Sequence, residues 1–214
     1  MKKIFIFLIL LSVTPPAYAL RHWNKLVYSP EIKNDVKLYT EIEYRYNGND
    51  VFYRHYDGGF RFPIKYFGEG WEGGVQFRAV YTKSTDGSWD FEKRPHVQLQ
   101  KTIYSPQYEF IPELKWQFRT RHEYRVRENG NDTARNRLRL MLKTKDAYYN
   151  IKPFIGNETF YDFDADDWTS NRFILGVDLP EFKIAKPSIA YQLETDMSDN
   201  DFDHTSNLLF TLSF

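Results

Sequence analysis

The sequence predicts an all-β fold, a transmembrane antiparallel up-and-down β-barrel of about ten strands within a range of eight to twelve. Three observations predict it. Aromatic residues make up 18% of the chain and charged residues 27%, an odd pairing for a soluble protein. Mean hydropathy is −0.62, too polar for a bundle of membrane helices. Beyond the N-terminal segment no run approaches the roughly eighteen apolar residues that a spanning helix requires. Segment after segment nonetheless alternates apolar and polar residues with a period of two, which separates two faces of a strand and would scramble them on a helix. A barrel wall gives this combination because lumen-facing and lipid-facing residues alternate and cancel.

The first element is not part of the fold. "MKKIFIFLILLSVTPPAYA" has Lys2 and Lys3 ahead of an apolar core over 4–13, then Ala17-Tyr18-Ala19 as a small-x-small cleavage site. This is the pattern of a secretory signal peptide over 1–19, which leaves 20–214 as a single barrel domain. The competing reading, an uncleaved membrane anchor, has too short an apolar stretch. Lys+Arg and Asp+Glu both number 29, so the chain stays close to neutral once Lys2 and Lys3 are removed. A nucleic-acid partner would call for a basic excess, and none is present. Cysteine is absent, so stability must come from packing or from lipid rather than disulfide staples.

The spacing then predicts strands in turn. Over 36–46, Val36, Leu38, Ile42, Tyr44 and Tyr46 alternate with Lys37, Glu41, Glu43 and Arg45. The segment 51–62 is the least regular, and Gly58-Gly59 there predicts a bulge. Over 71–81, Trp71, Val75, Phe77, Ala79 and Tyr81 alternate with Glu72, Gln76 and Arg78. Val97, Leu99 and Ile103 face away from His96, Gln98 and Gln100.

The clearest stave is "ELKWQFRTRHEYRVRE". Leu114, Trp116, Phe118, Tyr124 and Val126 share one parity, and Lys115, Arg119, Arg121, Glu123, Arg125 and Arg127 the other. At about 3.3 Å per residue and a tilt of about 40°, the stretch 114–126 climbs about 30 Å, enough to cross an apolar band of about 25 Å. Leu138, Leu140 and Leu142 then oppose Arg137, Arg139 and Lys143, and Ile151 and Ile155 oppose Lys152 and Glu158. Phe173, Leu175, Val177 and Leu179 oppose Arg172 and Asp178. Ile189, Tyr191 and Leu193 oppose Gln192 and Glu194, and Leu208, Phe210, Leu212 and Phe214 oppose Asn207, Thr211 and Ser213. That makes ten strands. The stretch 23–29 would supply one more, and a split of 51–62 another.

The connections sort by composition. "NGND", "KSTDGSWDFEK", "ENGNDT", "YDFDADDW" and "DMSDNDFDH" are acidic and follow odd-numbered strands, whereas "PIKYFGEG", "YSPQ", "KTKDAYYN" and "PEFKIAKP" follow even ones. In a meander that starts in the periplasm, the first set forms longer outer loops and the second shorter periplasmic turns. An even strand count puts both chain ends in the periplasm of a Gram-negative cell. The ending "NLLFTLSF" resembles the terminal aromatic strand that the barrel-assembly machinery reads in outer-membrane proteins, with Phe214 as its recognised end. The expected surroundings are outer-membrane lipid and lipopolysaccharide. A soluble secreted barrel of the lipocalin type is the alternative.

"FEKRPHVQLQ", "TARNRLRLML", "IKPFIGNETFYDF" and "SNRFILGV" resemble, in that order, the Arg-rich, "P…NE.F" and "NR…G" strands of the family catalogued as domain of unknown function 2490. The resemblance runs from about Trp23 to Phe214. It implies a bacterial outer-membrane β-barrel and implies no activity. More loosely, the chain is similar to small monomeric porins for acidic oligosaccharides, which line their lumens with arginine.

The candidate site is therefore the lumen. Lys115, Arg119, Arg121, Glu123, Arg125, Arg127, Arg137, Arg139, Lys152, Glu158 and Arg172 are expected to line it. One reading is a filled interior, since a barrel of about eight strands is just packed by its own side chains. Arg–carboxylate forks then knit the wall. The other is a narrow, porin-like channel for a small anionic solute, since rings of Arg or Lys select anions. One register of the "ENGNDT" hairpin sets Glu123 opposite Arg139 and Arg125 opposite Arg137, and the second pair is like-charged.

A lipid- or peptide-hydrolysing outer-membrane barrel enzyme is the second alternative, and its chemistry finds little footing. Asp201 and Asp203-His204 fall near the rim, but neighbours on a strand point to opposite faces, and His22, His55, His96 and His122 have no serine or acid at a suggestive spacing. No catalytic residue is assigned. "DFDADDW" spaces Asp162, Asp164 and Asp166 like a calcium loop but lacks its glycine and distal glutamate. No metal ligand or cofactor is expected. Tyr44, Tyr46, Trp71, Tyr81, Trp116, Tyr124 and Tyr191 read as an interfacial girdle.

Overall fold

The structure, a computed structural model, describes residues 20–106, 112–128, 130–145, 150–198 and 201–214, so the signal-peptide segment 1–19 lies outside the described residues. The alternating segments form strands. In chain order these are β1 (Leu20–Tyr28), β2 (Glu31–Lys33), β3 (Val36–Asn47), β4 (Asp50–Pro63), β5 (Trp71–Lys83), β6 (Trp89–Tyr104), β7 (Leu114–Arg127), β8 (Thr133–Thr144), β9 (Lys152–Asp162), β10 (Asp167–Asp178), β11 (Lys186–Ser198) and β12 (Asp201–Ser213). All ten expected strands are present as β3 to β12, each hydrogen-bonded antiparallel to the next. The sheet closes into a barrel of eleven strands with β2 outside it.

The eleventh strand falls within the expected range of eight to twelve, on the stretch 23–29 that could supply one more, but its parallel pairing departs from the purely antiparallel expectation. β1 closes the cylinder, pairing antiparallel with β3 (Val27↔Glu41) and parallel with β12 (Val27↔Ser213). Its pattern is hard to read because Trp23 is turned inward, 4% exposed, while His22 stacks outward on Tyr46 with ring centroids 4.6 Å apart. β2 prolongs the same edge through a tight turn in which Asn34 and Asp35 both have positive φ.

Because β1 runs parallel to β12, Leu20 and Phe214 stand at opposite ends of the barrel. Leu20 lies beside Ser206, and its neighbour Arg21 faces Asn47 at the tip of the β3–β4 hairpin. The expectation that both chain ends share one side is thus overturned among the described residues. An odd number of staves has this consequence.

Connection lengths also depart from expectation. The strands joined by the acidic set end at Asn47, Lys83, Arg127, Asp162 and Ser198 and resume at Asp50, Trp89, Thr133, Asp167 and Asp201. They lie closer together in the chain than those joined by the second set, which carries most of the prolines and runs from Pro63 to Trp71, Tyr104 to Leu114, Thr144 to Lys152 and Asp178 to Lys186. Strand pairing runs nearly to the acidic tips, so the residues counted as loop there are mostly strand. The bulge expected at Gly58-Gly59 falls elsewhere: the β3–β4 register shifts between Arg45 and Tyr46, at the level of Phe52, and Gly58 and Gly59 pair regularly with Thr40 and Tyr39. Gly59, at φ +158, instead permits close approach of β5, since a Cβ there would lie 2.3 Å from the Val75 carbonyl oxygen.

The two faces of the wall are inverted relative to a soluble protein. Phe60, Val75, Phe77, Val97, Phe118, Leu140 and Phe210 are exposed on the outside. Glu43, His55, Gln76, Arg121, Glu123 and Asn207 are buried within. A small apolar cluster of Met141, Phe154 and Ala190, packed by Ile174 and Leu209, fills one side of the lumen. It is seated where Gly156 and Gly176 leave room for the Met141 sulfur and the Phe154 ring.

Candidate functional site: a charged lumen

Two carboxylates hold together the wall formed by β7 to β10. Glu158 on β9 accepts from Arg119 Nη2 at 2.8 Å and Arg137 Nη2 at 2.9 Å, with Arg172 3.7 Å away. Glu123 on β7 accepts from Arg135 at 2.7 Å and Arg137 at 2.8 Å, and Arg121 approaches it to 3.7 Å. Strand alternation places all of these on one face, and the pleat brings residues on adjacent strands to within about 5 Å at Cβ. Arg172 also donates to Glu194 at 2.6 Å.

The hairpin register differs from the one expected. Glu123 lies opposite Arg135, Arg121 opposite Arg137, and Arg119 opposite Arg139. Near the hairpin end Asp132 accepts from the Arg127 backbone N–H and the Tyr124 hydroxyl. Three like-charged pairs result, Lys115 with Lys143, Arg119 with Arg139 and Arg121 with Arg137, where one was expected. Arg125 does not reach Arg137; it donates to Glu92 at 2.7 Å, as does Arg94 at 2.6 Å.

The rest of the expected set divides by depth. Arg127 lies at the acidic end, held by the Asn131 carbonyl at 2.9 Å and 4.0 Å from Glu92. Lys152 is exposed and Lys115 half-buried at the opposite end. Arg139 reaches the interior but makes no hydrogen bond or ion pair among the described residues, although Glu158 is its cross-strand neighbour.

A second network joins Glu41, Glu43, Arg45 and Arg78, which parity put on the polar face, to Lys25, His55 and Asp57, which it did not. Lys25 on β1 pairs with Glu43 at 2.9 Å, and Arg45 donates to the same carboxylate at 2.7 Å. Glu41 accepts from His55 at 2.8 Å, from Arg78 at 3.3 Å and from Tyr39. Arg78 forks onto Asp57 at 2.9 and 2.7 Å. Arg45 stacks 3.6 Å over the Trp23 ring. Parity could have found Asp57 and His55 had the bulge been placed at Phe52, but Lys25 and Trp23 belong to the strand that composition hides. The ligand atoms of Glu41, Glu43 and His55 lie within 4.8 Å of one another, a spacing that could hold a metal ion. Lys25 Nζ, 3.6 Å from Glu41 as well, already supplies a cation there.

Two cavities lie between these groups. One of about 390 Å³ is bounded by Tyr39, Arg61, Arg119, Arg139, Arg172 and Glu158 among others. The second, of about 930 Å³, is a vestibule at the Pro-rich end lined by Lys115, Lys143, Lys145, Lys152 and Lys186 against Asp178 and Glu181. Gln117, Lys143 and Ser213 line both, so the cavities adjoin.

Of the residues considered for enzymatic or calcium chemistry, the Asp201 side chain lies outside what is described, and several others have partners of their own. His204 contacts Thr195 at 3.0 Å, and Asp203 faces Asp196 across the β11–β12 ladder. Asp162 and Asp164 accept backbone N–H groups and Asp166 binds the Tyr161 hydroxyl, as a folded hairpin tip uses its carboxylates.

No curated protein matches the chain. A family model, described as "Protein of unknown function (DUF2490)", matches residues 20–203, a span that includes β1 to β11 and the whole charged lumen. The chain therefore belongs to the DUF2490 family.

Proposed function

We propose that the protein is an outer-membrane barrel with a porin-like role, whose lumen favours small anions over cations. The observation that carries this reading is the inverted wall, apolar outside and charged within. Soluble proteins rarely expose contiguous apolar surface on this scale, and a barrel can cross lipid because closure satisfies its backbone. The anion preference rests on the lysine vestibule that leads into the arginine-rich cavity, since basic linings select anions. Export through a cleaved 1–19 segment and recognition of Phe214 by the assembly machinery complete the reading. With Phe214 in the periplasm, the acidic hairpin tips and Leu20 face outward.

Two measurements test it. The protein from the outer-membrane fraction is expected to migrate faster on a denaturing gel when unheated than when boiled. In planar bilayers under a salt gradient, small conductance steps with an anion-selective reversal potential are expected. Absence of steps across the voltage range would remove the porin role and leave a structural, ion-pair-packed barrel.

A further inference from the structure

Resting on the anion-favouring reading of the lumen, we infer that the arginine-lined cavity is a binding site for a multivalent oxyanion, with Arg61 and Arg139 as its free binding groups. Charge balance supports this. Ten basic side chains line the cavity against three acids, Glu41, Glu43 and Glu158. Four further acids pair with those bases from outside the lining: Asp57 with Arg78, Glu123 with Arg137, Asp178 with Lys143 and Glu194 with Arg172. Ten bases then face seven acids, and three positive charges are left over.

The surplus has an address. Among the described residues Arg139 has no ion pair, and it stands directly opposite Arg119, whose one carboxylate there, Glu158, is shared with Arg137 and Arg172. Arg61 on β4 makes no ion pair among the described residues either and lies 3.6 Å over the Tyr39 ring. Arg121, 2% exposed, has among the described residues only Gln98 at 3.0 Å and Glu123 at 3.7 Å. The Nε atoms of Arg61, Arg119 and Arg121 are buried with no hydrogen-bond partner among the described residues. Like charges directly opposite in a ladder repel, and unsatisfied buried donors cost free energy. An oxyanion of two or more charges answers both, because guanidinium forks match phosphate and carboxylate oxygens bidentately. A halide offers one charge and no fork geometry.

The test uses the mature chain refolded in detergent and titrated calorimetrically with pyrophosphate and with citrate. Chloride at equal ionic strength is the reference. Saturable binding near one equivalent is expected for at least one of them. Pyrophosphate binding identifies a phosphate-type ligand, and citrate binding alone a polycarboxylate. Arg61→Gln with Arg139→Gln is expected to weaken binding at least tenfold, while Lys33→Gln, on β2 outside the wall, leaves it unchanged. In low-salt buffer without either anion, Arg139→Gln alone is expected to unfold at the same denaturant concentration as the parent or a higher one, because it removes one of two opposed charges.

Absence of saturation by both anions, or unchanged affinity in the double variant, would overturn the site. If the double variant shows no heat-modifiable band, the single Arg139→Gln protein carries the comparison. Binding without conductance removes the porin role and keeps the site. Conductance without binding does the reverse.

Discussion

Glu158 shows how much a single carboxylate carries in this lumen. It serves Arg119, Arg137 and Arg172, is 4% exposed, and shares Arg137 with Glu123. Removing one partner of a buried ionic cluster leaves uncompensated charge, at a cost of about 3–5 kcal/mol. Glu158→Gln is therefore expected to lower the urea midpoint of refolded protein clearly, whereas Lys152→Gln, exposed at the vestibule mouth, leaves it unchanged. Equal midpoints for the two variants would show that the network adds nothing net. At this scale the sequence was readable in part: parity alone put Glu123, Glu158 and six arginines (Arg119, Arg121, Arg125, Arg127, Arg137 and Arg139) on one face, while Arg135 was not singled out. It could not say which carboxylate meets which guanidinium, because that depends on the register of the β7–β8 hairpin.

At the scale of elements, close strand packing at the glycines matters as much as charge. A Cβ at Gly176 on β10 would fall 2.5 Å from Phe154, 2.6 Å from Ala190 Cβ and 2.7 Å from the Ile189 carbonyl oxygen. Overpacking of this kind costs typically about 1–3 kcal/mol. Gly176→Ala is expected to lower refolding yield and the temperature at which the compact band is lost. Gly48, a hairpin tip with nothing within 4 Å and φ +58, would suffer from Ala only through its backbone. A Gly176→Ala barrel with parental heat-modifiability would mean that Phe154 and the apolar cluster give way. Strand existence and facing were legible, since each depends on neighbours two residues apart. Turn lengths and the bulge at Phe52 were not, because they are settled by how far each hairpin zips.

The whole molecule turns on its seam. β1 separates β3 from β12, so the chain is a ten-strand meander closed by an N-terminal eleventh strand. The protein has no cysteine of its own, which makes cross-linking clean. Leu26 and Leu212 are Cα partners across the parallel ladder, so Leu26→Cys with Leu212→Cys is expected to form a disulfide under mild oxidation. Ile42→Cys with Leu212→Cys, two strand spacings or about 10 Å apart, is expected to remain reduced. The opposite pattern would mean that β3 meets β12 directly and the barrel has ten staves. Exposure of the two chain ends gives an independent check. A tag placed just before Leu20 is expected to be labelled on intact cells, and labelling only after the outer membrane is permeabilised would contradict the proposed orientation.

What the sequence determined by itself was the wall: period-two alternation fixed strands, their inward and outward faces and a lumen of mixed charge, because a strand's geometry depends on nothing beyond its own pleat. Only the tertiary structure decided the closure by β1, the separation of Leu20 from Phe214, and the register that sets Arg119 against Arg139. Each of these is a pairing between segments remote in the chain, and a pattern within one segment carries no record of its partner. The surplus of positive charge at Arg61 and Arg139 exists only once those pairings are made.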